Sequence, residues 1–165
     1  MTEEYISGYL EAISRVKDIL TPNLGGTNQF FSIEKDTNKS LAKNVEDFVL
    51  KYKDWYETYE RINPLQTKID NLQFVEIENW VENFAELISN WTCDKELSSQ
   101  RGKNGYHLSE YLVNFLLKDF FRNQEVKVYK MLPDSEFWHW SDMMNEDYIF
   151  DSDTKIFIMH FGEST

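Results

Sequence analysis

A chain of 165 residues fits one domain, 1–165, and is long enough to bury a core without disulfides or metals, since a domain of about 150 residues buries ~68–70% of its unfolded surface. With 17 basic residues against 29 acidic ones, the formal net charge is −12, which argues against a general nucleic-acid or anionic-membrane binder, because both need a basic face. The 41% hydrophobic share is that of a globular chain, and a single cysteine, Cys93, excludes an internal disulfide.

Residues 3–20 read as a first helix, with Ile6, Leu10, Ile13, Val16 and Leu20 at helical spacing. Pro22 and then Gly25-Gly26 read as its stop. Gln29 to Ile33 is short and apolar, either a strand or a hydrophobic plug. A longer helix is expected from about Ser40 to Ile62 on Leu41, Val45, Phe48, Val49, Tyr52, Trp55, Tyr56 and Tyr59, ended by Asn63-Pro64. A third runs from about Val75 to Trp91 through Trp80, Val81, Phe84, Leu87 and Ile88. The polar segment Thr92 to Gly105 reads as a loop. A fourth helix, roughly His107 to Arg122, packs through Leu108, Tyr111, Leu112, Phe115 and Leu116.

From Glu125 the period changes to two. Val126 and Val128 alternate with Lys127 and Lys130, Phe137 to Trp140 is a possible strand, and Tyr148 to Phe150 and Ile156 to Phe161 are better ones. Asp151-Ser152-Asp153-Thr154 between the last two is hairpin-turn material. Helices first and strands afterwards give an α+β class: about four helices followed by a C-terminal antiparallel β meander, with the helices on one face of the sheet.

Phosphate-binding glycine loops, nucleophile elbows, H-E-x-x-H and EF-hand loops are absent from the sequence. A metal site could draw on His139 and His160, with Asp142 or Asp147, if strands placed them on one face, but no motif spacing joins them. Nothing near Cys93 would lower its pKa. The D-x-D spacing of Asp151 and Asp153 is explained by the turn. No catalytic residue, cofactor or metal is expected. The N-terminus lacks the positive and apolar regions of a signal peptide, and no apolar run approaches the ~20 residues of a membrane span, so the expected location is cytoplasmic.

Charge distribution carries more information. Between Lys68 and Lys95 no basic residue occurs, while Glu78, Glu82 and Glu86 fall at i, i+4 and i+8, one acidic stripe on a helix. From Leu132 to Thr154 there are seven carboxylates and no Lys or Arg, interleaved with Phe137, Trp138, Trp140, Tyr148 and Phe150. Strands with one buried face cannot hide all of those rings, and exposed aromatics ringed by acids suit a binder of a basic site. Trp138 and Trp140 share a parity with Asp134, Glu136 and Asp142 on any continuous strand. Arg101 and Lys103, just before the fourth helix, are the one basic spot that stands out.

In size, acidity and aromatic content the chain is similar to the small inhibitors of bacteria and their phages: immunity proteins that neutralise toxins, and anti-defence proteins that block host nucleases. That resemblance implies a non-enzymatic binding protein that occludes a basic protein partner, a toxin or nuclease-like effector, with no direct contact to nucleic acid or membrane. Trp138, Trp140 and Tyr148 are the expected anchors, and Glu82, Glu86, Asp142 and Asp147 the expected steering or cleft-facing acids. The alternatives are a small hydrolase or transferase with a carboxylate/histidine site near His139, or a sensor or adaptor module holding a small ligand.

Overall fold

The computed structural model describes residues 1–21, 25–60, 72–95, 97, 107–132 and 144–164, with side chains described at all of these except 52–60 and 164. In chain order, helix α1 (Glu3–Leu20) is followed by strand β1 (Gly25–Glu34), α2 (Leu41–Glu60), β2 (Gln73–Glu76) and α3 (Trp80–Ile88). Next comes one helical rod, α4, made of an α-helical Leu108–Tyr111, a π-helical Leu112–Leu117 and an α-helical Lys118–Phe120. Strands β3 (Val126–Leu132), β4 (Met144–Ser152) and β5 (Lys155–Ser164) complete the order. All pairings are antiparallel and the sheet runs β1-β5-β4-β3-β2. The class is α+β, as the order of periodicities implies.

Three details differ from the sequence reading, the first being that the helices cover both faces of the sheet instead of one. Gln73–Glu76 is a strand, not the start of the third helix, because it pairs with the end of β3 (Gln73 opposite Leu132, Glu76 opposite Tyr129). Gly25 and Gly26 open β1 instead of merely closing α1. The strand expected at Phe137–Trp140 lies outside the described residues.

The sheet is covered on both faces. Phe30, Val128, Tyr148, Phe150, Phe157, Met159 and Phe161 project to the side of α1, α3 and α4, where they meet Ile6, Leu10, Phe84, Ile88, Leu112 and Leu116. The residues of opposite parity, Ile33, Met131, Ile149, Ile156 and Ile158, meet Val45 and Val49 of α2. Thus α2 packs on the face opposite the other three helices, and the central strands have no solvent side. This explains the near-continuous apolar run Ile156 to Phe161: a strand buried on both faces need not alternate. It also accounts for much of the aromatic content. Phe121 stacks on Phe150 at 5.4 Å, Phe30 on Phe157 at 5.6 Å, and Phe84 meets Tyr148 edge-on at 4.8 Å.

α1 does more than bury Ile6, Leu10 and Ile13. Its polar residues run along the open edge of β1 and take up the strand's unpaired backbone groups. The amide of Ser32 donates to Glu3 Oε1 at 2.9 Å, Ser7 Oγ donates to the Phe30 carbonyl at 2.6 Å, the amide of Asn28 donates to Ser14 Oγ at 3.1 Å, and the amide of Gly26 donates to Asp18 Oδ1 at 2.9 Å. The lengths match: from Glu3 to Asp18 a helix rises about 22 Å, and from Ser32 back to Gly26 a strand spans about 20 Å. An edge strand that would otherwise recruit another chain is covered by the helix that precedes it.

Candidate functional site: an acidic cleft beside an exposed aromatic stripe

α3 buries Phe84, Ala85 and Ile88, which turns Glu82 and Glu86 outward; Glu78, expected on the same helical stripe, is exposed too but precedes α3 and the left-handed Asn79, so it lies off the helix. Among the described residues no Lys, Arg or His forms an ion pair with any of them. Glu82, Glu86 and Ser89 form one wall of a cleft of ≈ 670 Å³. His107, just before α4, and Glu110 and Asn114 of α4 form the other, and Asp94 and Lys95 also line the cleft.

Asp94 is buried and holds α4 in place. Its Oδ1 accepts the amide of Leu108 at 2.7 Å and its Oδ2 accepts the hydroxyl of Ser109 at 2.5 Å, so it caps the helix from another segment. Cys93 precedes it with φ 60°, a left-handed conformation uncommon for a side-chain-bearing residue. That reversal carries the chain from Trp91 back to Asp94, and Cys93 itself is buried.

On the flank of α4 away from the cleft, Tyr111 is 43% and Phe115 63% exposed, and their rings stack at 5.4 Å. Tyr9 of α1 lies 5.5 Å from Tyr111, and its hydroxyl donates to the Leu108 carbonyl at 3.1 Å. Burial, with the nearby charge of Asp94 and the neighbouring Tyr111 and Tyr5 phenols, pushes the Tyr9 hydroxyl up to about 12, so it stays a neutral donor. Tyr5, 56% exposed, extends the stripe along α1. This phase of α4 departs from the sequence reading, which placed Tyr111 and Phe115 inward. Leu112, Val113, Leu116 and Leu117 take the buried positions instead. The legible signal was excess: Leu108, Tyr111, Leu112, Val113, Phe115, Leu116 and Leu117 are too many apolar residues for one helix face.

A second polar cluster sits at the end of α3. Trp91 Nε1 donates to Glu146 Oε2 at 2.9 Å, the Tyr148 hydroxyl donates to the same oxygen at 2.5 Å, and Lys130 Nζ reaches Glu146 Oε1 at 2.6 Å. Burial raises the Glu146 pKa, but the hydrogen bonds from Lys130, Tyr148 and Trp91 and the Lys130 charge together outweigh it and leave the carboxyl below the usual range. Lys17 lies over the Trp91 ring, 4.9 Å from its centroid, and pairs with Glu163.

The residues singled out from sequence fall into three groups. Glu82 and Glu86 stand exposed at the cleft. Trp138, Trp140 and Asp142, with His139, Arg101 and Lys103, lie outside the described residues. Tyr148 and Asp147 are corrections: Tyr148 is 1% exposed and packs on Phe84, so it is no surface anchor, and Asp147 is 0% exposed, so it steers nothing. The reason is the covering of the sheet on both faces, which hides both parities of β4. Asp147 is held by His160, whose Nδ1 lies 2.8 Å from its Oδ1 across β4 and β5. Folding the expected hairpin about Asp153-Thr154 puts these two opposite each other, a signal available in the sequence. At 1% and 0% exposure the pair offers a substrate no access. Among the described residues no group of three or more His, Cys, Asp or Glu is placed to share a metal ion, and no helix is long and apolar enough to cross a membrane.

The arrangement defines an α+β protein with an acidic cleft on one flank of α4 and exposed aromatic rings on the other. In three dimensions it is similar to citrus MAF1, over 94% of this chain and 98% of that one, with TM-score 0.50 and 18% identity. A second crystal form of citrus MAF1 aligns over 94% and 99% of the two chains with TM-score 0.44 and 18% identity. At that identity the likeness establishes the fold and nothing about activity. No protein-family model matches the chain, and no curated protein matches it in sequence.

Proposed function

We propose that this protein is a non-enzymatic binding protein that occludes a basic surface or cleft of a macromolecular partner, such as a toxin or a host-defence nuclease. The observation that carries the reading is the acidic lip of the α3–α4 cleft. Glu82 and Glu86 face Glu110 across it, and no cation among the described residues pairs with either α3 carboxylate. Like charges at i,i+4 cost a few tenths of a kcal/mol per pair, roughly the reverse of an i,i+4 ion pair. A partner's ammonium or guanidinium groups would relieve that repulsion. With a net charge of −12, long-range attraction speeds encounter with a basic partner, and like-charged surfaces are repelled.

Zero-length carboxylate–amine cross-linking tests this in the native host, because it joins only acids already paired with lysines. The expected result is a basic partner joined through Glu82, Glu86 or Glu110, and lost on Glu82→Lys with Glu86→Lys. Cross-links confined to other acids, or a captured partner without a basic surface, would overturn the reading.

A further inference from the structure

Resting on that reading, we propose that the element seated on this surface is an amphipathic helix of the partner, with Lys or Arg along one flank and large apolar side chains along the next. Two stripes run side by side across the surface. Glu82 and Glu86 repeat at i,i+4 on α3, about 6 Å apart along its axis, and Tyr111 and Phe115 repeat at i,i+4 on α4 with ring centroids 5.4 Å apart. The cleft lies between them, with Glu110 and Asn114 lining its α4 wall.

The aromatic stripe supplies what acids alone do not. Tyr111, Phe115 and Tyr5 expose large rings that a chain with this much core could have hidden, and apolar patches rimmed by charge mark protein-binding surfaces. The rings are also held: Tyr111 stacks on Phe115 and meets Tyr9 at a tilt, and Tyr9 is tied to the Leu108 carbonyl. Docking onto them therefore loses little side-chain freedom.

The choice of a helix follows from the juxtaposition of the two stripes. An extended segment turns only a single row of alternate side chains to a surface, so it cannot lay a basic row and an apolar row along two parallel stripes. A helix carries two adjacent stripes at i,i+4, matching both spacing and side.

The test uses the full chain and short synthetic peptides as probes. One is helical, with a Lys/Arg stripe beside a Leu/Phe stripe. A second keeps the charges and replaces the apolar stripe with serine. The first should bind, with amide shifts in both α3 and α4, and the second should bind at least about tenfold more weakly. Tyr111→Ser with Phe115→Ser should cost the first peptide about tenfold while leaving the melting transition in place, since both rings are exposed.

Equal binding of the two peptides, or indifference to the double serine variant, would overturn the aromatic half and leave the acidic reading standing. Loss of binding on that variant, with none on Glu82→Lys/Glu86→Lys, would overturn the acidic reading and this proposal together. Failure of the first peptide to bind, or adsorption of the rings to zwitterionic vesicles in its place, would also overturn it.

Discussion

The carboxylate of Asp94 and the hydroxyl of Ser109 are joined by a 2.5 Å hydrogen bond that links the turn after α3 to the start of α4. Asp94 also takes the Leu108 amide, so the acid at the base of the cleft sets the position of the opposite wall. His107 lies just before the capped turn and Glu110 within it, so the spacing between the two walls depends on this cap.

Replacing Asp94 by alanine is expected to lower stability by about 1–2 kcal/mol, the cost of losing an N-cap with buried donors behind it. Asp94→Asn should lose less, because the amide oxygen can still accept. Urea melts of the two variants check the ranking, and hydrogen exchange should show faster opening at residues 108–112. Equal stability of the alanine variant and wild type would mean that α4 is placed by packing alone.

Gly26 is expected to resist alanine. A Cβ there would lie 3.3 Å from the Ser14 Cα and 3.4 Å from the Lys17 Cδ. Removing a glycine usually stabilises by about 0.4–1 kcal/mol through the unfolded chain. Here the close neighbour is helix backbone tied to β1 by hydrogen bonds on both sides of the contact, so it has little room to give. Overpacking of about 1–3 kcal/mol should win, and the thermal midpoint of Gly26→Ala should fall.

The parts of the fold legible in the sequence are those whose burial follows a local period. Ile6, Leu10 and Ile13 mark α1, and the apolar run Ile156 to Phe161 marks β5. What was hidden depends on distant partners. Gln73–Glu76 has no strong strand character of its own and becomes β2 through pairing with β3. The position of α2 across the sheet from α1 leaves no local trace, so a strand covered on both faces is not foreseen, and Tyr148 is buried against Phe84 on the α3 side. The acidic half of the site was legible in the spacing of Glu82 and Glu86. The aromatic half was legible only as an excess of apolar residues, because Val113 and Leu117 compete with Tyr111 and Phe115 for the inward face, and only packing decides between them.

The Glu146 cluster makes a contribution that depends on pH. Its carboxyl is held below its ordinary value by Lys130, Tyr148 and Trp91 despite burial. The stabilisation is therefore complete above the usual glutamate range near ~4.3 and is lost as pH falls through the lowered folded value. Wild type should exceed Glu146→Gln in stability at neutral pH, and the two should converge in acid. Urea melts between about pH 7 and pH 3 measure this. A gap that stays constant across the range would show that the charge on Glu146 is not the source.

Reversing Glu82 and Glu86 to lysine should leave folding intact, because both project from an exposed face and one like-charged i,i+4 pair is exchanged for another. Circular dichroism melts should show an unchanged midpoint. With a basic partner, association should slow as salt rises from low ionic strength to 0.15 M, where charges are screened beyond about 8 Å, and the reversed variant should lose that dependence. A collapse in stability would show the two carboxylates to be structural.

The phase of α4 can be tested with two phenylalanines. Phe115 is 63% exposed and touches Tyr111, whereas Phe121, just past the end of α4, is buried against Phe150, Phe157 and Trp80. If the π-helical turn at Leu112–Leu117 sets the phase as described, Phe121→Ala should cost about 3–5 kcal/mol, as core aromatics do. Phe115→Ala should change stability by no more than about 0.5 kcal/mol. A regular amphipathic helix packing through Leu108, Tyr111, Leu112, Phe115 and Leu116 makes the opposite claim for Phe115, since its ring would then fill the core. Denaturant melts of both variants decide between the two packings. A loss at Phe115 approaching that at Phe121 would put the ring inside and remove the aromatic stripe from the surface, whereas a small loss leaves Phe115 free to contact a partner.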